Sequence, residues 1–209
     1  MPDAANAMEK IQVWDAPTRI GHWLLAGAFA VAWLTSEGET WKNVHVAAGA
    51  LMAAVVLFRI VWGVIGTAHA RFASFAFAPG AALRYLAGML RRRPEHFTGH
   101  NPAGSYAIFL LLALTLVAVV SGWAAYNELG GSLSEELHEG AATAMLLIVG
   151  LHLAGVVVGG LLHRENLALA MVTGRKLGER SEAIANTRRG WAVALIAWAG
   201  AAIWLSGYL

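Results

Sequence analysis

Four histidines of the 209-residue chain lie inside or at the rim of long apolar stretches: His22, His45, His138 and His152. An ionisable ring in such a setting is costly in lipid, which makes each one a functional candidate. His138 and His152 share one stretch, 14 residues apart. On a helix that spacing is roughly 21 Å along the axis, and at about 100° per residue it returns to within roughly 40° of the starting direction. One helix face would then present two imidazoles at two depths. His45 matches the depth of His138 and His22 that of His152, so the economical pairing is His45 with His138 and His22 with His152. Two neutral imidazoles satisfy the axial positions of a haem iron, whereas a zinc site wants three or four protein ligands, and these pairs lack nearby carboxylate partners. The expected cofactors are two haem b. The chain has no cysteine, which excludes covalent c-type attachment, iron-sulfur ligation and a disulfide framework.

Other residues join this set or compete with it. Gly49, four residues after His45, and Gly155, three after His152, would leave a porphyrin room on the histidine faces or simply allow close helix packing. Arg59, 14 residues after His45, shares that helix face at the depth of the His22 pair. It is read as a bidentate partner for a haem propionate, with snorkelling to the headgroups as the alternative. His69, His96 and His100 fall in a polar connection, where a histidine is ordinary surface. His163 points almost the same way as His152 but lies about 16 Å further along, at the membrane boundary, and ranks below it as a ligand. Tyr106 and His100 are candidates for a bound quinone only because quinone chemistry needs hydrogen-bonding and proton-accepting groups.

The elements that must hold these residues are membrane helices. Of all residues 58% are hydrophobic and 13% charged, against roughly 25% charged in a soluble domain. Five stretches are long enough to cross a hydrocarbon core of about 30 Å: residues 17–35, 44–66, 104–126, 137–162 and 191–208. Residues 79–90 read as an amphipathic helix on the membrane surface, with Arg84 among leucines. The fold expected is an all-α integral membrane protein, one domain over residues 1–209: a four-helix transmembrane bundle around two haems, plus a fifth C-terminal helix. No small-residue cleavage site follows the first apolar stretch, so no removable signal peptide is expected. Arginine and lysine crowd the N-terminal stretch and the connections 67–103 and 163–190, while the other two loops hold Glu37, Glu39, Glu128, Glu135 and Glu136 with Lys42 as their only cation. Because basic residues are retained inside, the N-terminus is expected in the cytoplasm and the C-terminus in the periplasm of a bacterial inner membrane. The net charge of +2 gives no reason to expect a nucleic-acid partner.

The stretches VWDAPTRIGHW (13–23), HVAAGALMAAVVLFRIVWGVIG (45–66), GHNPAG (99–104), LHEGAATAMLLIVGLHLAGV (137–156) and HRENLALAMVTGRK (163–176), in this order and spacing, resemble the family of prokaryotic cytochromes b-561 and nickel-iron hydrogenase cytochrome b subunits. The resemblance covers nearly the whole chain. It implies a four-helix core with two b haems on ligands corresponding to His22, His45, His138 and His152. It also implies electron transfer between the quinone pool and a partner, either a periplasmic cytochrome c or the electron-transfer subunit of a redox enzyme.

The function expected is therefore a dihaem b-type cytochrome linking quinone to such a periplasmic partner. Two axial imidazoles leave no open iron position, which suits outer-sphere transfer over oxygen activation. The alternative is a superoxide:quinone oxidoreductase acting at the outer haem. An anionic substrate would be steered by positive potential, and the outer loops are acidic. A transporter or assembly factor without haem would require all four histidines to serve something else, and the colour of the purified protein discriminates.

Overall fold

In a computed structural model that describes residues 8–75 and 77–207, the apolar stretches form helices α1 (Ala16–Leu34), α2 (Lys42–Ile65), α4 (Pro102–Tyr126), α5 (Ser132–His163) and α7 (Arg189–Ser206). The surface segment is α3 (Pro79–Leu90) and a short α6 covers Leu167–Thr173. The starts of α1 and α4 carry local signals. Asp15 caps α1 by accepting from the Thr18 N–H at 2.8 Å, and Asn101 caps α4 by accepting from Gly104 N–H at 2.8 Å, both with proline just inside the helix. This is the preferred chemistry, since the cap side chain satisfies a free N–H and proline has none to lose. α5 begins at Ser132, earlier than the expected 137, because its polar first turns are helical too. Tyr208, the expected end of the last span, lies outside the described residues, as does the polar N-terminal stretch up to residue 7.

Among the described residues four segments are long and apolar enough to cross a membrane: Glu39–Ile65, Pro102–Tyr126, Ser132–His163 and Arg189–Ser206. α1, at 19 residues, is about 28 Å long, but Arg19 and His22 dilute its apolar character and it falls outside that group. Two antiparallel pairs organise the bundle, α1 with α2 and α4 with α5, and α2 also packs on α4. α5 makes no comparable backbone contact with α1 or α2. What joins the pairs at mid-depth is a thin apolar layer of Ala28, Met52, Ala118, Ala141 and Met145, with Leu25, Phe29 and Leu114 around it. α7 lies on the far side, against α2 and α1, with Leu195 fully buried and the Trp198 indole N–H donating to the Ala54 carbonyl at 2.9 Å.

The basic end departs from the all-α expectation. Strand β1 (Glu9–Gln12) pairs antiparallel with β2 (Arg175–Gly178), in the register Glu9 with Gly178 through Gln12 with Arg175. Gly174 makes the ribbon possible. It ends α6 at φ +81°, its carbonyl accepts from both Val13 N–H and Trp14 N–H, and a Cβ there would meet Gln12 Nε2 at 2.2 Å and the Trp14 carbonyl oxygen at 2.6 Å. Only glycine combines that conformation with that approach.

Candidate haem sites

The structure brings the four histidines together in the expected pairs. The rings of His45 on α2 and His138 on α5 have centroids 5.9 Å apart and planes at 75°; those of His22 on α1 and His152 on α5 are 6.3 Å apart at 56°. A metal held by two imidazoles at about 2 Å from each nitrogen sets the ring centres about 6 Å apart. Both pairs have that separation, and both bridge the two helix pairs where the backbones stand away from each other. The apolar layer of Ala28, Met52 and Met145 occupies the depth between them, since Met145 is midway between His138 and His152 along α5.

At the acidic end the second ring nitrogens have defined partners. His45 Nδ1 donates to the Ala32 carbonyl at 2.9 Å, and His138 Nδ1 donates to the Ala118 carbonyl at 2.8 Å. A carbonyl can only accept, so each ring holds its proton on Nδ1 and offers the Nε2 lone pair, the arrangement by which a second hydrogen bond orients a metal-binding histidine. The two carbonyls become available by different routes. Ala32 lies in the last turn of α1, where carbonyls lack helical partners. Ala118 is inside α4, and the residue one turn on is Gly122, where a Cβ would stand 2.7 Å from His138 Nδ1 and 2.8 Å from its Cε1. Gly122 is a functional position that sequence reasoning did not single out. Its signal was a Ser-Gly pair deep in an apolar helix, a place where glycine needs a packing reason.

At the basic end the buried polar atoms His22 Nδ1 and Arg59 Nη1 have no hydrogen-bond partner among the described residues. The Arg59 guanidinium lies 4.7 Å over the Phe72 ring and 5.9 Å from that of Phe75. A buried charge held by aromatic faces with a donor left over fits an anionic group such as a propionate. No neighbouring atom lies within 4 Å of a Cβ built at Gly49 or at Gly155, so the histidine faces are open beside both. Donor set, ring separation, free donors and open faces all fit haem b.

The loop histidines have other places. His163 faces His96, ring centroids 5.7 Å apart, away from the His22 pair. His96 Nε2 donates to the Leu177 carbonyl at 3.2 Å and His69 Nε2 to that of Glu182 at 2.8 Å. His100 is not ordinary surface. Its ring is wedged between Phe75 at 4.3 Å and Trp14 at 4.6 Å, with Nδ1 sealed and unpartnered. Its pKa is lowered to about 3, by burial first and then by the charges of Arg59, Lys176 and His69. Tyr106 donates its hydroxyl to the Phe77 carbonyl at 2.8 Å. Asp15, also not singled out from the sequence, is 1% exposed, and its second oxygen accepts from the Trp62 indole at 3.0 Å and the Thr67 hydroxyl at 2.6 Å, tying the start of α1 to the end of α2.

The chain is similar to proteins named as B-type cytochrome subunits. A protein of Rhizobium leguminosarum bv. viciae named as a probable Ni/Fe-hydrogenase B-type cytochrome subunit is 26% identical, with 84% of this chain and 92% of the relative covered. A protein of the same name from Bradyrhizobium diazoefficiens is 25% identical over 79% and 85%. A probable Ni/Fe-hydrogenase 1 B-type cytochrome subunit of Escherichia coli K12 is 27% identical over 56% and 60%. No solved structure matches. The family described as prokaryotic cytochrome b561 matches residues 13–174, and with its apolar helices and paired histidines the chain belongs to that family of membrane-bound, haem-carrying electron-transfer proteins.

Proposed function

We propose that the chain is a dihaem b-type cytochrome, with one haem b between His22 and His152 and one between His45 and His138, moving electrons between the quinone pool and a periplasmic redox partner. The observation that carries this reading is the pair of ring separations, 6.3 and 5.9 Å, each matching two imidazoles on one iron and each bridging helices that otherwise stand apart. Haem b supplies a one-electron iron couple. His22 with His152, and His45 with His138, would hold the two haems through their imidazole nitrogens, which suits electron transfer. The Ala32 and Ala118 carbonyls fix the outer rings, and Arg59 offers its free Nη1 to a propionate at the inner level. In this reading α1 crosses the membrane with the other four long helices, the basic end lies in the cytoplasm and the acidic end in the periplasm, and residues 1–209 form one membrane domain.

The partner at the acidic end is a cytochrome c or the electron-transfer subunit of a redox enzyme. The names of the relatives favour the second, with a nickel-iron hydrogenase as the enzyme. Superoxide is the weaker candidate, because Glu135, Glu136 and Glu139 are all exposed beside the outer pair and repel an anion. The purified protein should give two haem b per chain in a pyridine haemochrome assay. His22→Ala and His152→Ala should remove one redox component, and His45→Ala and His138→Ala the other. One haem or none per chain, or variants that group differently, overturns the reading.

A further inference from the structure

Beside the haem sites, at the basic end, a pocket of about 420 Å³ is lined by Arg19, Arg175 and Arg189 together with Gln12, Thr173 and Thr187. The three arginines come from α1, β2 and the first residue of α7, and the β1–β2 ribbon together with the Ala16 N–H to Thr187 carbonyl hydrogen bond at 2.8 Å brings these segments side by side. Among the described residues none of the three is in an ion pair, and no carboxylate lines the pocket. Arg19 donates from one terminal nitrogen to the Val172 carbonyl, while its Nε is sealed from solvent with no partner among the described residues. Three like charges around an opening, with hydroxyl and amide groups between them, form a site for a multivalent oxygen anion, which arginine binds with paired hydrogen bonds.

The same Arg19 also lines a second cavity of about 600 Å³ whose other walls are Ile20, Trp23, Leu24, Met171 and Val172. This groove runs between α1 and α6. The Trp23 indole donates to the Met171 carbonyl at 3.3 Å and holds the two walls together, yet Trp23 and Val172 remain about half exposed. A cationic pocket that shares Arg19 with an apolar groove suits an amphiphile with an anionic head, and basic pockets at this level suit lipid headgroups. Trp23, one turn along α1 from Arg19, is the residue type enriched near the membrane interface.

We propose that this is a binding site for an anionic glycerophospholipid, its phosphate held by Arg19, Arg175 and Arg189 and one acyl chain lying along Ile20, Leu24 and Val172. The bound lipid joins the start of α1 to α6, β2 and the start of α7.

The test is native mass spectrometry of the detergent-purified holoprotein titrated with phosphatidylglycerol and, separately, with phosphatidylcholine. The first phosphatidylglycerol should bind at least about tenfold more tightly than phosphatidylcholine, as expected for charge-assisted hydrogen bonds at one site. Arg175→Gln with Arg189→Gln should abolish that preference, and Val172→Glu should weaken phosphatidylglycerol while leaving the arginines in place. Unchanged haem spectra report that the variants are folded, and Arg189→Gln alone serves if the double variant is not. Excess inorganic phosphate should not displace the lipid. Equal binding of the two lipids, retained preference in the arginine variants, or displacement by inorganic phosphate as a free-anion site would each overturn the proposal.

Discussion

At the scale of single residues, His45 and His138, the haem ligands proposed at the acidic end, are positioned by groups outside the pair itself. His138 reaches the Ala118 carbonyl only because position 122 has no side chain, and a Cβ there falls 2.7 Å from the ring nitrogen. Gly122→Ala therefore has to displace the imidazole or part α4 from α5, at a cost of about 1–3 kcal/mol. The expected outcome is loss or broadening of the redox component assigned to His45 and His138, with the other component kept. Gly140→Ala, next to open space on α5, is the control and should retain both. Arg59 makes the complementary prediction at the inner level. A positive charge near a redox centre favours its reduced state, so Arg59→Leu should lower the midpoint potential of the component assigned to His22 and His152, with haem content intact. An unchanged redox titration would leave the guanidinium as a charge held by Phe72 and Phe75 alone.

At the scale of elements, the long helices were legible because hydrophobic length is a signal carried by every residue in a run, and the histidine pairing because 14 residues nearly complete whole helical turns. The caps Asp-Ala-Pro and Asn-Pro-Ala mark where α1 and α4 begin. The cap at the basic end was not legible, because tertiary hydrogen bonds rather than a local pattern hold it. β1 is four residues of mixed character that become a strand only against β2. Lys176 sits in β2 with its ammonium turned inward, donating to the Phe97 and Gly99 carbonyls at 2.9 and 3.3 Å, and so orders a loop that reads as ordinary polar surface. His100 belongs to the same cap, and its lowered pKa makes the cap sensitive to acid. Above its unfolded value of about 6.5 the ring is neutral folded or unfolded, and it adds no pH dependence. Between that value and about 3 the unfolded chain binds the proton more readily, so stability falls as pH falls. Thermal unfolding followed by loss of tryptophan burial should show a decline in midpoint between pH 6.5 and 4.5 that His100→Phe reduces, because phenylalanine keeps the contacts with Trp14 and Phe75 and has no proton to gain.

At the scale of the whole molecule, charge is divided between the two ends. The basic end gathers its arginines around a folded cap, while the acidic end consists of two short connections and the first turns of α5. Lys42 is the cation of those connections, and it is occupied: its ammonium lies 3.6 Å from Glu39 and 5.4 Å from the centre of the Tyr126 ring. Glu135, Glu136 and Glu139 are exposed on the turns that flank His138, so negative potential is concentrated where the outer pair comes nearest the surface. In the proposed orientation, retention of lysine and arginine on the cytoplasmic side accounts for the lack of positive charge here, but it does not by itself require carboxylates to cluster beside one histidine. A cluster in that place steers a positively charged partner toward the outer pair, raising the rate of encounter more than the strength of the complex. Stopped-flow oxidation of the reduced protein by a basic cytochrome c should therefore slow steeply as salt rises and the screening length shrinks toward about 8 Å. Glu→Gln changes at 135, 136 and 139 should produce the same slowing at low salt, with both midpoint potentials kept. A rate indifferent to salt, or a faster reaction with an acidic acceptor, would remove docking at this face and bring superoxide back as the substrate to test, because the carboxylates would then not govern what approaches the outer histidines.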